Sequence, residues 1–510
     1  MKIVTQPVPE EGRPRVSGPR PSGATLRQTT RRQFVKDVAA AVGGFLVLPG
    51  LASGCGPGRT SGSAGEDADA WSRVPEILAR IRSPRFPDRD FPVTDFGAVE
   101  GGAVDATDAF RRAVAACRAA GGGRVVVPAG VFLTGPVHLR SNVNLHVVEG
   151  ATLRFSRNPA DYLPAVFTRW EGVELMNYSP LIYAFEQENV ALTGGGTLDG
   201  QADEGYWWPW KGREAYGWQA GMPEQGPARA RLFQMAEDGV PVAERVFGEG
   251  DYLRPSFVEF YRCRNVLIEG VTIFRSPMWL LHPTCCTNVT VRGITARSHG
   301  PNNDGCDPES CTDVLIEGCF FDTGDDCIAL KSGRNADGRR LALPIENVVV
   351  RDCTMRDGHG GVVIGSEMSG GARDVFAERC RMDSPNLDRV LRIKTNSVRG
   401  GFVEGVYMRD VTAGQVADAV VRVNFLYEEG DAGAFDPVVR DIDVRRVTSE
   451  KSTYALYLVG YPESPVRGVR LVGCRFAGVE QGNVVEHVED LDLNDVLING
   501  ERVALATLHR

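Results

Sequence analysis

Asn265-Val266-Leu267-Ile268, Asn288-Val289-Thr290-Val291 and Asp313-Val314-Leu315-Ile316 are one phrase written three times. A polar turn residue, Asn or Asp, opens onto a short run of β-branched and apolar side chains. The phrase also stands upstream at Asn142-Val143-Asn144-Leu145 and Asn189-Val190-Ala191-Leu192, and downstream at Asn347-Val348-Val349-Val350 and Asp374-Val375-Phe376-Ala377. Fainter echoes fall at Asp441-Ile442 and Gly468-Val469. The shortest intervals are about two dozen residues, and longer ones hold insertions. Short strands of alternating side chains, separated by polar turns, predict an all-β fold: a right-handed, single-stranded parallel β-helix. A propeller needs repeats of about 40 residues, and a sandwich shows strands without self-similarity.

Working outward, residues 91–510 form one solenoid domain. Its length of 510 residues for the whole chain would suggest several globular domains, but solenoids grow by adding coils. The 59 glycines and 30 prolines fit many turns, and 43% hydrophobic content supports a core. Ahead of the first phrase, Phe110, Ala113, Val114 and Cys117 recur at helical spacing between Asp108 and Ala119, and Gly121-Gly122-Gly123 ends that helix. A short helix there predicts a lid on the open end of the core. The 12 cysteines form no CxxC pair, which argues against a zinc cluster. Cys263, Cys286, Cys311, Cys319, Cys353 and Cys380 fall at similar places in successive repeats, as small residues stacked inside a solenoid would.

The first 55 residues read as an address. Thr30-Arg31-Arg32-Gln33-Phe34-Val35-Lys36 matches the twin-arginine export pattern, and the apolar run Val38 to Leu51 has the length of a signal core. Leu51-Ala52-Ser53-Gly54-Cys55 resembles a bacterial lipoprotein cleavage box with Cys55 as the lipidated residue. Residues 56–90 read as a linker and N-terminal extension, Gly/Ser/Ala-rich up to Asp69. The expected location is periplasmic or at the cell surface, with membrane contact only through the signal or a lipid. A single chain is expected to act as a monomer.

Four polar motifs interrupt the strand pattern: Asn302-Asn303-Asp304-Gly305, Gly324-Asp325-Asp326-Cys327, Gly358-His359-Gly360 and Arg392-Ile393-Lys394. Stacked coils lie about 4.8 Å apart, so motifs spaced by a coil belong to one groove. Asp304 and Asp326 are 22 positions apart, one coil. Three crowded carboxylates push at least one pKa upward, which supplies a protonated acid beside an ionised base. Acids from neighbouring coils would leave room for a water, favouring an inverting mechanism. Arg392 and Lys394 flank Ile393 and therefore share one strand face, as a clamp for a ligand carboxylate requires. Taken singly, each has a structural use: a turn Asp bonds backbone, an Asp pair holds calcium, and an exposed strand carries Arg-x-Lys. Their order at coil spacing favours chemistry.

A net charge of −9 argues against nucleic-acid binding. A polyanionic ligand would then need a locally basic cleft. Lys331, Arg334, Arg339, Arg340 and Arg399, with Arg392 and Lys394, lie near the motifs to supply it. Residues 201–255 break the repeat and carry Tyr206, Trp207, Trp208, Trp210, Tyr216 and Trp218. These rings either wall a sugar-binding cleft or pack the insertion onto the solenoid.

These four motifs resemble those of glycoside hydrolase family 28, the polygalacturonases, and its bacterial branch most closely. The resemblance spans about Phe91 to Tyr427. It implies hydrolysis of α-1,4-galacturonosidic bonds in pectin-type polymers, with no cofactor or metal. Carried over, Asp325 is the general acid, Asp304 and Asp326 activate water, and His359 supports the acid. Arg392 and Lys394 hold the galacturonate carboxylate, with Tyr427 and Asn302 as further substrate contacts. Asn303 stands where fungal members have threonine, and Gly324 where many have glutamine. The insertion would block one end of the cleft and favour exo action. Two rivals make different predictions. A pectate lyase would cleave by elimination with calcium, and a glycan-binding β-helix would not turn substrate over.

Overall fold

The computed structural model describes residues 70–503. The export pattern, Cys55 and the tether to Asp69 lie outside these residues. The chain coils as a right-handed parallel β-helix with three faces. One sheet of 13 strands runs from Asp90–Pro92 to Val488–Asn494, and a second of 13 from Gly130–Thr134 to Glu501–Arg502. The third face begins with Val137–His138, Ile182–Phe185 and Val258–Tyr261 and resumes with six strands from Ile328–Leu330 to Val484–Glu486. Single bridges through Leu281, Thr284, Cys306 and Glu309 join its two parts. This third face carries the polar motifs.

The Asn or Asp that opens each phrase has a conformational reason. Asn142, Asn189, Asn265, Asn288, Asp313, Asn347 and Asp374 all adopt positive φ, from 54° to 64°. Short polar side chains tolerate this left-handed turn best after glycine. They also stack: Asn189 Nδ2 donates to Asn142 Oδ1 (2.9 Å), Asn265 to Asn189 (2.8 Å) and Asn288 to Asn265 (2.7 Å). The alternating residues that follow send Val266, Ile268, Val289, Val291, Val314 and Ile316 into one continuous core. The predicted lid is present as Thr107–Ala119, which buries Phe110, Ala113, Val114 and Cys117 on the first coils. The cysteines expected inside are buried, and all described cysteines are free thiols.

Residues 70–90, the part of the 56–90 extension that is described, fold onto the solenoid. Arg73–Arg80 is a helix laid across the outside of the first sheet, where Trp71, Val74 and Ile77 cover Leu315, Val349 and Phe376. Arg80 reaches Asp313 and Arg73 reaches Asp374, so charged ends bracket the apolar strap.

The 201–255 insertion folds against the solenoid, with the helix Gly226–Glu237 and the hairpin Val166–Trp170/Val173–Asn177 sharing a second apolar cluster. Its rings mostly pack. Trp207 is buried against Tyr162 and Trp210, and Trp208 donates its indole N–H to Ser276 O.

Candidate active site

Coil register brings the motifs together. Cys306 pairs with Ile328, and the Gly305 N–H donates to Asp326 O at 2.9 Å, placing Asp304 beside the Asp325-Asp326 pair. One coil on, the His359 N–H donates to Asp325 O and the Cys327 N–H to Gly360 O. Val363 then pairs with Arg392 and Gly365 with Lys394. Ile393 faces the core while Arg392 and Lys394 face the groove. Gly324 sits against the neighbouring coil: a Cβ there would lie 2.7 Å from Gly300 O, so a glutamine has no room. Asn303 is fully buried and ties down the Asp304 loop. Its amide donates to Met278 O (3.1 Å) and Ser276 O (3.2 Å), and its oxygen accepts from the Gly300 N–H (2.8 Å).

One carboxylate oxygen from each of Asp304, Asp325 and Asp326 lies within 4.8 Å of the other two. Such spacing would also suit a divalent cation, but each acid is already faced by a protein cation. Lys394 Nζ lies 2.7 Å from Asp326 Oδ2 and Arg392 Nη1 3.5 Å from its Oδ1, with Asp326 wholly buried. His359 Nδ1 lies 2.9 Å from Asp325 Oδ1, and Lys331 Nζ 3.6 Å from Asp304 Oδ2. The 4.8 Å spacing is tighter than the ~6.5–9.5 Å usual between the two carboxyls of an inverting pair.

Environment splits the acids. Burial, then the charges of Asp307 and Asp325, hold the Asp304 carboxyl well above the ordinary range, against the pull of Lys331. Burial also pushes Asp325 upward, but the His359 imidazolium, Lys394 and Lys331 outweigh it and leave that carboxyl strongly depressed. His359, with 53% of its side chain exposed, is raised to about 9, chiefly by the Asp325 charge.

Tyr427 lies beside the clamp, its ring centre 5.5 Å from Arg392 Cζ and 5.4 Å from Lys394 Nζ. Asn302, expected as a substrate contact, sits at the edge of the acid cluster. Its side-chain oxygen accepts from Lys211 Nζ (3.1 Å) and Arg254 Nη2 (2.9 Å), which fastens the insertion to the groove. Of the other cations, Lys331, Arg334 and Arg399 line the site, while Arg340 serves Glu174 and Asp337 in the wall. Glu367, between Lys331 and Arg334, was not legible as a site residue; its one signal is its place two residues past the strand Val362–Gly365. Asp307, three positions after Asp304, was equally hidden.

A parallel β-helix with clustered acids and a two-cation clamp on one face defines a polysaccharide-cleaving enzyme of the glycoside hydrolase class. The model of glycosyl hydrolases family 28 matches residues 248–492. The chain is 31% identical to a probable polygalacturonase from Vitis vinifera over 393 residues, 74% of this chain and 72% of that protein. It is 27% identical to the exo-poly-alpha-D-galacturonosidase of Dickeya chrysanthemi, over 71% of this chain and 62% of that one. Its structure is similar to that of a hyperthermoactive exopolygalacturonase from Thermotoga maritima, at 48% identity and a TM-score of 0.83. That match covers 85% of this chain and 97% of the other. The chain belongs to glycosyl hydrolase family 28.

Proposed function

We infer that the protein hydrolyses α-1,4-galacturonosidic bonds in pectin-type galacturonans, releasing sugar from a chain end. The observation that carries this reading is the position of Asp326 between an acid–imidazole pair and the Arg392–Lys394 clamp. A galacturonate carboxylate shares the two cations with Asp326, fixing the sugar over the acids. Asp325, ionised at rest, relays to the leaving oxygen the proton carried by the His359 imidazolium, which persists to about pH 9. Asp304, once ionised, takes one proton from the attacking water, and Asp326 holds that water in place. Asp326, ion-paired to two cations, is a poor nucleophile and a good water anchor. This favours single displacement with inversion despite the short spacing.

Support for exo action comes from Lys211 and Arg254, which dock the insertion onto Asn302 at the edge of the acid cluster. The Dickeya and Thermotoga relatives are named as exo enzymes. The same reading includes twin-arginine export and lipid attachment at Cys55. A Cys55→Ser variant should move from the membrane fraction to the soluble fraction.

Asp325→Asn tests the function. It should lose about 10²–10⁴-fold in kcat while keeping its affinity for trigalacturonate. Wild-type turnover would remove Asp325 from the acid role, and turnover yielding unsaturated product only with calcium would favour elimination.

A further inference from the structure

A second layer of charge lies beneath the acids and takes no part in the mechanism above. Asp307 is fully buried, and neither of its carboxylate oxygens has a hydrogen-bond partner. Lys331 Nζ stands 3.7 Å from Asp307 Oδ1, 3.6 Å from Asp304 Oδ2 and 3.3 Å from Glu367 Oε2, with the Trp279 ring centre at 4.5 Å. Glu367 has Arg334 as a second partner at 3.3 Å. Asp304 and Asp307 therefore compete for one ammonium in a water-poor site. Two carboxyls so placed cannot both ionise freely, and their protons belong to the pair.

We propose that Asp307 and Lys331 are positioning residues for hydrolysis: through the shared ammonium they set how readily Asp304 gives up its proton to act as base. The proposal rests on Asp304 serving as base in the reading above. Burial and the neighbouring acids hold both Asp304 and Asp307 well above the usual carboxylate range. Asp304 is also faced by Asp325, Asp326 and the guanidinium of Arg254, and Asp307 by Asp325, Asp326 and Glu367. None of these changes in the variants below.

The acidic limb of the kcat/KM profile reports the ionisation of Asp304. Asp307→Asn keeps the side chain's shape and removes one competing acid, so Lys331 is left to Asp304 and Glu367. The limb should move to lower pH by roughly 1 unit or more. Lys331→Met removes the cation, and the limb should move to higher pH by roughly 1–3 units. The double variant should fall between them. KM for trigalacturonate on the plateau should not change, because the Arg392–Lys394 clamp is untouched. A merely structural role would lower kcat at every pH and leave the limb in place.

An Asp307→Asn limb that coincides with wild type overturns the proposal. If Lys331→Met does not fold, Lys331→Arg preserves the charge and should hold the wild-type limb, and Asp307→Asn decides alone. Failure of the wild-type protein to release saturated galacturonate would defeat the functional reading itself, which these limb shifts do not address.

Discussion

Lys394→Met removes one arm of the clamp and the nearest partner of Asp326. The pair is short, 2.7 Å, and Asp326 has no solvent access. Breaking a buried ion pair from one side costs about 3–5 kcal/mol, because the remaining charge stays desolvated. Arg392 persists at 3.5 Å from Asp326 Oδ1, so the loss in stability should sit near the lower end, about 3 kcal/mol. The substrate loses one charge-assisted hydrogen bond as well, worth about 1.5–3 kcal/mol. If that bond is made more strongly in the transition state, kcat/KM should fall about 10–150-fold. Further loss should follow from misplacement of Asp326. The assay is release of reducing sugar from trigalacturonate and from its methyl ester, whose neutral carboxyl cannot use an ammonium fully. The ratio of the two specificity constants should collapse toward one. Equal losses on acid and ester, with KM unchanged on both, would refute the assignment of Lys394 to substrate recognition.

His359→Asn should lower kcat at all pH values and abolish an alkaline limb near pH 9. The raised imidazole pKa means that its contribution is complete below the unperturbed value and is lost as pH rises through about 9; a kcat profile over pH checks this. Trp71→Ala empties the contact with Phe376 and Arg409 and should cost about 3–5 kcal/mol locally. It should be seen as early proteolysis of residues 70–90 with activity retained. Lys211→Met loosens the insertion from Asn302 and should raise the share of internal cleavage, measured as a faster viscosity drop per bond broken.

The solenoid was legible because its two local rules are strict. A left-handed turn selects Asn or Asp at each corner, and the next strand alternates core and surface. The acids were legible for the same reason, since register makes spacing equal proximity. The strap over the first sheet was not read, although a signal existed. Leu315, Val349 and Phe376 occupy outward positions between core residues on three successive coils, and such a stripe requires a cover. Helical spacing in Trp71, Val74 and Ile77 supplies it, just past the Gly/Ser/Ala-rich stretch that ends at Asp69. The tie from Asn302 to Lys211 and Arg254 was not legible, because the insertion lies far from it in sequence until the chain coils. Asp307 and Glu367 remained unread because only the folded coil turns Lys331 toward both.

The central claim is that Asp304, Asp325 and Asp326 hydrolyse a galacturonosidic bond under the Arg392–Lys394 clamp. The most direct test follows the first turnovers on trigalacturonate by proton NMR. The account predicts saturated galacturonate that appears first as the β-anomer and then mutarotates. An initial α-anomer would contradict single displacement, and an unsaturated sugar would contradict hydrolysis altogether.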